Sequence, residues 1–303
     1  MAVGYQGRLY ILAFDHRGSF KRMFGVGSDP TAEQTERLKA AKQLVWQGVQ
    51  TAVEEGAPED SVGVLVDEEM GSQVAREAKA AGIRLAMPVE ASGQSVFDFE
   101  YGEDFGAHIE DFDPDFSKVL VRWNPADSEE DKDTQGERLA RLGDWLHEYD
   151  RKFLFELLVP ASDAQLALAG GDSSAYDAEI RPYLTLEAID EILGAGVEPD
   201  IWKIEGLDRA QSCELLSGLI RRDGREDVIA VVLGRGADDA KVDHWLQTGA
   251  PVDGYSGFAI GRSIWSKEVG AWNEGDISRD EAASRISANF RRFIDVYEQA
   301  SSG

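Results

Sequence analysis

Three charged residues lie inside short apolar runs, where a charge needs a reason. Lys118 opens KVLVRW (118–123), Glu156 interrupts FLFELL (153–158), and Lys203 sits between Trp202 and Ile204 in DIWKI (200–204). An ammonium among apolar neighbours is penalised by desolvation, and a second cation nearby adds to the penalty. An amine that gives up its proton is a nucleophile that can form a Schiff base with a ketone or aldehyde. Lys203 is therefore the candidate nucleophile and Lys118 the second cation. Glu156, on the run between them, could move protons as a carbinolamine dehydrates and as a substrate hydroxyl is deprotonated. Any one of these residues alone reads equally well as half of a buried ion pair. Their coincidence on three successive runs favours chemistry.

A second set of residues suits anions. One apolar run ends in Leu233-Gly234-Arg235-Gly236 and a later one in Gly261-Arg262-Ser263. Glycine after a strand lets backbone N–H groups approach a phosphate, and arginine adds a bidentate clamp. Gly234, Arg235, Gly261 and Arg262 are thus candidate phosphate contacts, although as bare patterns they also read as turns. Neither GxGxxG nor GxxxxGK[ST] occurs, so a dinucleotide fingerprint and a P-loop are both unsupported. Further acids end other runs: Asp15, followed by His16, then Asp67 with Glu68 and Glu69, then Glu90. Asp15 joins the candidate catalytic set, and Asp67 and Glu90 join the candidate substrate contacts. Asp67, Glu69 and Glu90 could together hold Mg²⁺, but no HxH or HExxH spacing appears, and the reading assigns no metal and no cofactor. His16 suits either a substrate contact or a turn, whereas His147 and His244 are expected to face solvent.

The elements that must position these residues alternate regularly. Apolar runs read as strands at 9–14, 62–66, 83–89, 118–123, 153–158, 200–204, 228–233 and 254–260. Helix-like stretches lie at 31–55, 72–81, about 101–110, 134–149, 185–195, 208–222, 238–248 and 279–299. Asp29-Pro30-Thr31 and Asp133-Thr134 read as helix caps, and Leu139, Leu142, Trp145 and Leu146 form one inward face. Eight β-then-α units predict an α/β fold, a (β/α)8 TIM barrel, as a single domain over residues 1–303; a doubly wound sheet is the competing arrangement. An irregular insert at about 159–184 follows strand 5 and would lie over the C-terminal face or form a plain surface excursion. Phe290, Phe293, Ile294 and Tyr297 of the last helix are expected to close the barrel.

Composition removes several classes. The 303 residues carry 31 Lys and Arg against 57 Asp and Glu, a formal charge of −26, which disfavours nucleic acid and anionic membrane as partners. No apolar stretch of about 20 residues occurs, and MAVGYQGRLYILAFDH lacks the features of a secretory signal. The single cysteine, Cys213, permits no internal disulfide and reads as an inert thiol. A cytoplasmic location is expected.

Taken in order, LAFDHRGSFKRM, LVDEEMG, KVLVRWNP, FLFELL, DIWKIEG and GFAIGRSIW resemble the class I tagatose-1,6-bisphosphate aldolases and the related sulfofructose-phosphate aldolases. They are most similar to an uncharacterised aldolase-like domain that also occurs fused to 5-dehydro-2-deoxygluconokinase. The likeness runs from about residue 8 to 270. It implies a (β/α)8 barrel that cleaves ketose phosphates through a lysine Schiff base without metal. By motif, Lys203 matches the Schiff-base lysine, Glu156 the proton-shuttling carboxylate and Lys118 its cationic neighbour. Asp15 matches the acid ending the first strand, and Arg262 the arginine gripping phosphate. The chain departs from the family at His16, where glutamine is usual, at Leu233-Gly234-Arg235, where Ser-Ala-Gly is usual, and at Gly206-Leu207-Asp208 after the lysine. These departures bear on the identity of the substrate.

The expectation is a class I aldolase acting on a phosphorylated keto sugar or deoxy keto acid. A metal-dependent lyase or hydrolase on the same barrel and a non-catalytic sugar-phosphate-binding protein are the alternatives. A homo-oligomer is compatible with the helical exterior.

Overall fold

A computed structural model describes residues 3–302. Eight parallel strands close into a barrel in sequence order: β1 (Leu9–Ala13), β2 (Val62–Leu65), β3 (Arg84–Pro88), β4 (Phe116–Arg122), β5 (Lys152–Leu158), β6 (Ile201–Glu205), β7 (Ile229–Leu233) and β8 (Tyr255–Ile260). Each strand lies within two residues of its expected bounds, and the doubly wound alternative is excluded by the β1–β8 pairing.

Around the barrel run α1 (Gly18–Met23), α2 (Ala32–Glu54), α3 (Glu68–Ala80), α4 (Phe105–Phe112), α5 (Glu129–Glu148), α6 (Asp163–Leu168), α7 (Ser173–Ala175), α8 (Arg181–Gly194), α9 (Ala210–Ile220), α10 (Asp239–Gly249), α11 (Arg262–Glu274) and α12 (Arg279–Ser301). Thr31 caps α2 through a reciprocal capping box with Gln34, as the Asp29-Pro30-Thr31 signal suggested. The Asp133-Thr134 cap is displaced: Ser128 accepts from Asp131 N, and α5 begins five residues earlier than the signal. Residues 159–184 are not irregular. They form α6, α7, a π-helical turn at Tyr176–Ile180 and the start of α8. Helix α11 had no counterpart among the expected elements.

Strand side chains alternate between two apolar compartments, as a period of two requires. Leu9, Ile11, Phe116, Leu154, Ile201 and Ile229 fill the barrel interior, while Leu12, Val119, Phe155 and Trp202 pack outward under the helices. Phe290, Phe293, Ile294 and Tyr297 of α12 are buried in the outer compartment, where Tyr297 stacks edge-on to Tyr10 of β1. The inward set of each strand becomes polar towards its C-terminal end, and this transition creates the site. No helix among the described residues is long and apolar enough to cross a membrane.

Candidate functional site

The inward alternation of β4, β5 and β6 places Phe116, Leu154 and Ile201 at the barrel floor and Lys118, Glu156 and Lys203 one step above. Glu156 and Lys203 are register partners on adjacent strands, so the backbone ladder itself brings them together. Lys203 Nζ stands 2.9 Å from Glu156 Oε1, and Lys118 Nζ stands 3.1 Å from Glu156 Oε2. Lys118 also donates to Asp15 Oδ2 at 2.8 Å and to Glu90 Oε1 at 2.9 Å. All five groups line one cavity of about 380 Å³ at the C-terminal mouth.

Electrostatics within this cluster follow from burial against pairing. Burial alone would raise the pKa of Glu156 and Asp15, but the ammonium groups of Lys118 and Lys203 overcome it and hold both carboxyls below the usual range. Burial would lower the pKa of Lys118, yet Asp15, Glu156 and Glu90 together raise it, so this lysine remains a fixed cation. Glu90 goes the other way: its burial outweighs Lys118 and Arg17 and raises its pKa.

Arginines line the same cavity. Arg262, the first residue of α11, points to the β7–α10 loop, where its Nη2 donates to the carbonyl of Arg235 at 3.3 Å. Gly261 sits so close to β1 that a Cβ there would lie 2.3 Å from the carbonyl oxygen of Ala13, so only glycine fits. Gly234 and Gly261 both line the cavity, as expected. Arg235 lines it as well, but its guanidinium pairs with Asp177 at 2.5 Å and Glu205 at 3.0 Å.

Asp67 is a correction. It does not line the cavity; its carboxylate caps α3 through Met70 N and pairs with the buried Lys42 at 2.6 Å. The three acids considered for Mg²⁺ are separated into different ion pairs, Asp67 with Lys42, Glu69 with Lys21, and Glu90 with Lys118. Among the described residues, no three His, Cys, Asp or Glu side chains gather where a metal could sit. His147 is also corrected: it is half-buried beside Asp200 at 3.4 Å rather than facing solvent, while His244 is exposed. Cys213 is buried, and burial pushes its thiol up to about 11.

His16 lines the cavity next to Asp15, with its ring edge-on to Trp265. Burial, supported by Lys42, Arg262 and Lys203 against Asp15, brings its pKa down to about 4, so the ring is neutral near pH 7. Three further arginines were not assigned to the site from sequence. Arg17 donates to the Glu90 carbonyl at 2.9 Å and pairs with Glu100 at 3.0 Å. Arg22 and Arg122 line the cavity and, like Arg262, form no ion pair with an acid among the described residues. Arg122 shares the inward face of β4 with Lys118, a signal the two-residue period contains. Arg22 lies on α1, whose six residues are too few to show a helical period.

Comparison with known structures agrees with the architecture. The fructose-bisphosphate aldolase from Plasmodium falciparum, solved in complex with TRAP and a small-molecule inhibitor, superposes with a TM-score of 0.63 at 12% identity, covering 98% of this chain and 91% of that one. At that identity the likeness is one of fold. No curated protein matches the sequence. The family described as "Uncharacterized protein conserved in bacteria (DUF2090)" matches residues 4–301, and the chain belongs to that family.

Proposed function

We propose that the protein is a class I aldolase that cleaves a phosphorylated keto sugar or a phosphorylated deoxy keto acid. The observation that carries this reading is the placement of Lys203 Nζ at 2.9 Å from Glu156, inside a cavity that Arg22, Arg122 and Arg262 also line without an acidic partner among the described residues. The sequence likeness to tagatose-bisphosphate and sulfofructose-phosphate aldolases supports it, as does the barrel shared with a fructose-bisphosphate aldolase.

In this mechanism Lys203 transfers a proton to Glu156 and attacks the substrate ketone with its free amine. The carbinolamine hydroxyl takes a proton from Glu156 and leaves as water, giving a protonated imine. A base, again Glu156, then removes the proton from the hydroxyl two carbons from the imine carbon. The C–C bond breaks, its electron pair moves into the imine as an enamine, and an aldehyde is released. The imine is the electron sink that lowers the barrier to this step. Protonation of the enamine and addition of water return the ketone fragment and the free lysine. Lys118 keeps Glu156 ionised at the start of the cycle, Asp15 and Glu90 fix Lys118, and Arg262 holds the phosphate beside Gly234 and Gly261. The distant acidic surface is screened over roughly 8–10 Å, so the local cations decide what enters the cavity. Assembly into a homo-oligomer and a cytoplasmic location accompany this reading.

Borohydride reduction in the presence of a ketose phosphate tests it. A stable mass increment on the peptide containing residue 203, absent in Lys203→Met, is expected. No increment across a panel of ketose phosphates and deoxy keto acid phosphates overturns it.

A further inference from the structure

We propose that Arg235 is a positioning residue: Asp177 and Glu205 clamp its side chain so that its backbone carbonyl orients Arg262 for an anion without neutralising it. This rests on the reading of Arg262 as the phosphate grip.

Three observations carry the proposal. The guanidinium of Arg235 is occupied from two directions, Nη1 lying 2.5 Å from Asp177 Oδ2 and Nε 3.0 Å from Glu205 Oε1. A guanidinium already facing two carboxylates offers an arriving phosphate little net attraction. Its backbone does face the grip. Arg235 adopts φ +53°, a left-handed conformation that a side-chain-bearing residue rarely takes, and its carbonyl accepts from Arg262 Nη2 at 3.3 Å. Gly236, at φ +71°, then passes so close that a Cβ would lie 2.9 Å from Arg262 Nη2. The strand-end glycines and the strained arginine together form a seat for the Arg262 guanidinium.

The clamp is held by the segment between β5 and α8. Tyr176 Oη donates to the carbonyl of Val159 at 2.9 Å, and Arg181 Nη2 donates to the carbonyl of Gly206 at 3.0 Å. Arg181 Nε also lies 3.0 Å from Asp177 Oδ1, so the carboxylate that meets Arg235 is fixed from behind. Glu205, the last residue of β6, accepts from Val159 N at 3.1 Å through its second oxygen. Residues 159–181 therefore bridge the ends of β5 and β6 to the β7 loop. In a chain of net charge −26, an arginine in a polar cavity would otherwise be drawn to an acid. A carbonyl partner orients it and leaves its charge available.

The test uses the full chain and two probes: inorganic phosphate, followed by calorimetric titration, and dihydroxyacetone with borohydride, followed by mass. Arg262→Ala is expected to abolish phosphate binding. Asp177→Asn and Arg235→Ala should each weaken it about 3–10-fold, the effect of losing one oriented hydrogen bond. The double variant should be no weaker than either single one, because both act through the same clamp. Arg235→Lys, which keeps the charge but not the planar fork, should behave like Arg235→Ala and guards against misfolding of the alanine variant. Dihydroxyacetone trapping should be unchanged in Asp177→Asn, which does not line the cavity, as trapping needs no phosphate contact. Phosphate binding that is unaltered in Asp177→Asn, or tightened because Arg235 is freed to bind, overturns the clamp. Trapping without any phosphate binding in the wild type sinks the clamp and leaves the Schiff-base reading standing. Clamp-dependent phosphate binding without trapping does the reverse.

Discussion

Glu156 and Lys203 face each other across neighbouring strands of the barrel, their charged atoms 2.9 Å apart and their side chains almost sealed from solvent. Because the pairing is set by ladder register, neither group depends on a mobile loop for its place. The second oxygen of Glu156 is taken by Lys118 at 3.1 Å. The carboxylate is thus poised between a fixed cation and the amine whose proton it accepts in the proposed cycle.

Replacing that carboxylate with an amide of the same shape removes the proton acceptor and the negative charge that faces Lys118 and Lys203. Glu156→Gln should lower kcat by roughly 10²–10⁴-fold with KM changed only a few-fold, the range for a positioned general acid–base. Single-turnover trapping should show the Lys203 adduct forming slowly rather than not at all. Turnover within threefold of the wild type would count against Glu156 as the shuttle.

Lys42 and Asp67 form a second buried pair that serves the fold rather than the cavity. Lys42 is fully buried, lies 2.6 Å from Asp67, and also donates to the carbonyls of Phe14 and His16. It ties α2 to the backbone on either side of Asp15. Breaking such a pair leaves an uncompensated charge, so Lys42→Met should destabilise the protein by about 3–5 kcal/mol in denaturant unfolding. Lys42→Met with Asp67→Leu should recover part of the loss. A Lys42→Met variant as stable as the wild type would show that the pair contributes nothing.

These two pairs mark how far the sequence could be read. Lys118, Glu156 and Lys203 were legible because a charge in an apolar strand is conspicuous and the two-residue period fixes which way it points. The eight strands were legible for the same reason. Asp67 was misread because an acid at a strand end serves a cap as readily as a ligand, and its partner Lys42 comes from another element. Lys42 does fall on the apolar face of α2 with Leu38 and Val45, four residues after one and three before the other, so a signal existed. The Arg235 clamp was not legible: its partner Asp177 lies 58 residues away in a segment whose Gly, Ser and Asp content resembles a loop. Helix α11 escaped notice because Ser263, Ser266 and Lys267 break up its apolar positions.

The cavity arginines give a prediction about binding rather than turnover. Arg262 has no acidic partner among the described residues, so its charge is unspent until an anion arrives. Arg262→Ala should raise KM for a phosphorylated substrate about 10–100-fold, as loss of a charge-assisted contact implies, while kcat falls much less. The KM of an unphosphorylated ketone should not move. Equal effects on both substrates would mean that Arg262 shapes the cavity rather than gripping phosphate.

His16 gives a prediction about pH. Its folded pKa of about 4 lies below the unfolded value of about 6.5, so the unfolded chain binds more protons between these limits. Stability should therefore rise with pH through this window and be lost on acidification, by about 3 kcal/mol in all. Asp15 and Glu156, held below the usual carboxylate range, are already ionised in the folded protein across the window. Glu90, whose pKa burial raises, acts in the opposite sense, but equally with and without His16. His16→Gln removes the imidazole and keeps a neutral polar side chain beside Trp265 and Gly261. Denaturant unfolding at about pH 7, 6 and 5 should show a flatter dependence in the variant, the gap that titration opens between the two proteins widening as pH falls. Parallel curves would mean that His16 is solvated well enough to titrate normally, and that the ring facing the cavity is charged in mildly acidic solution.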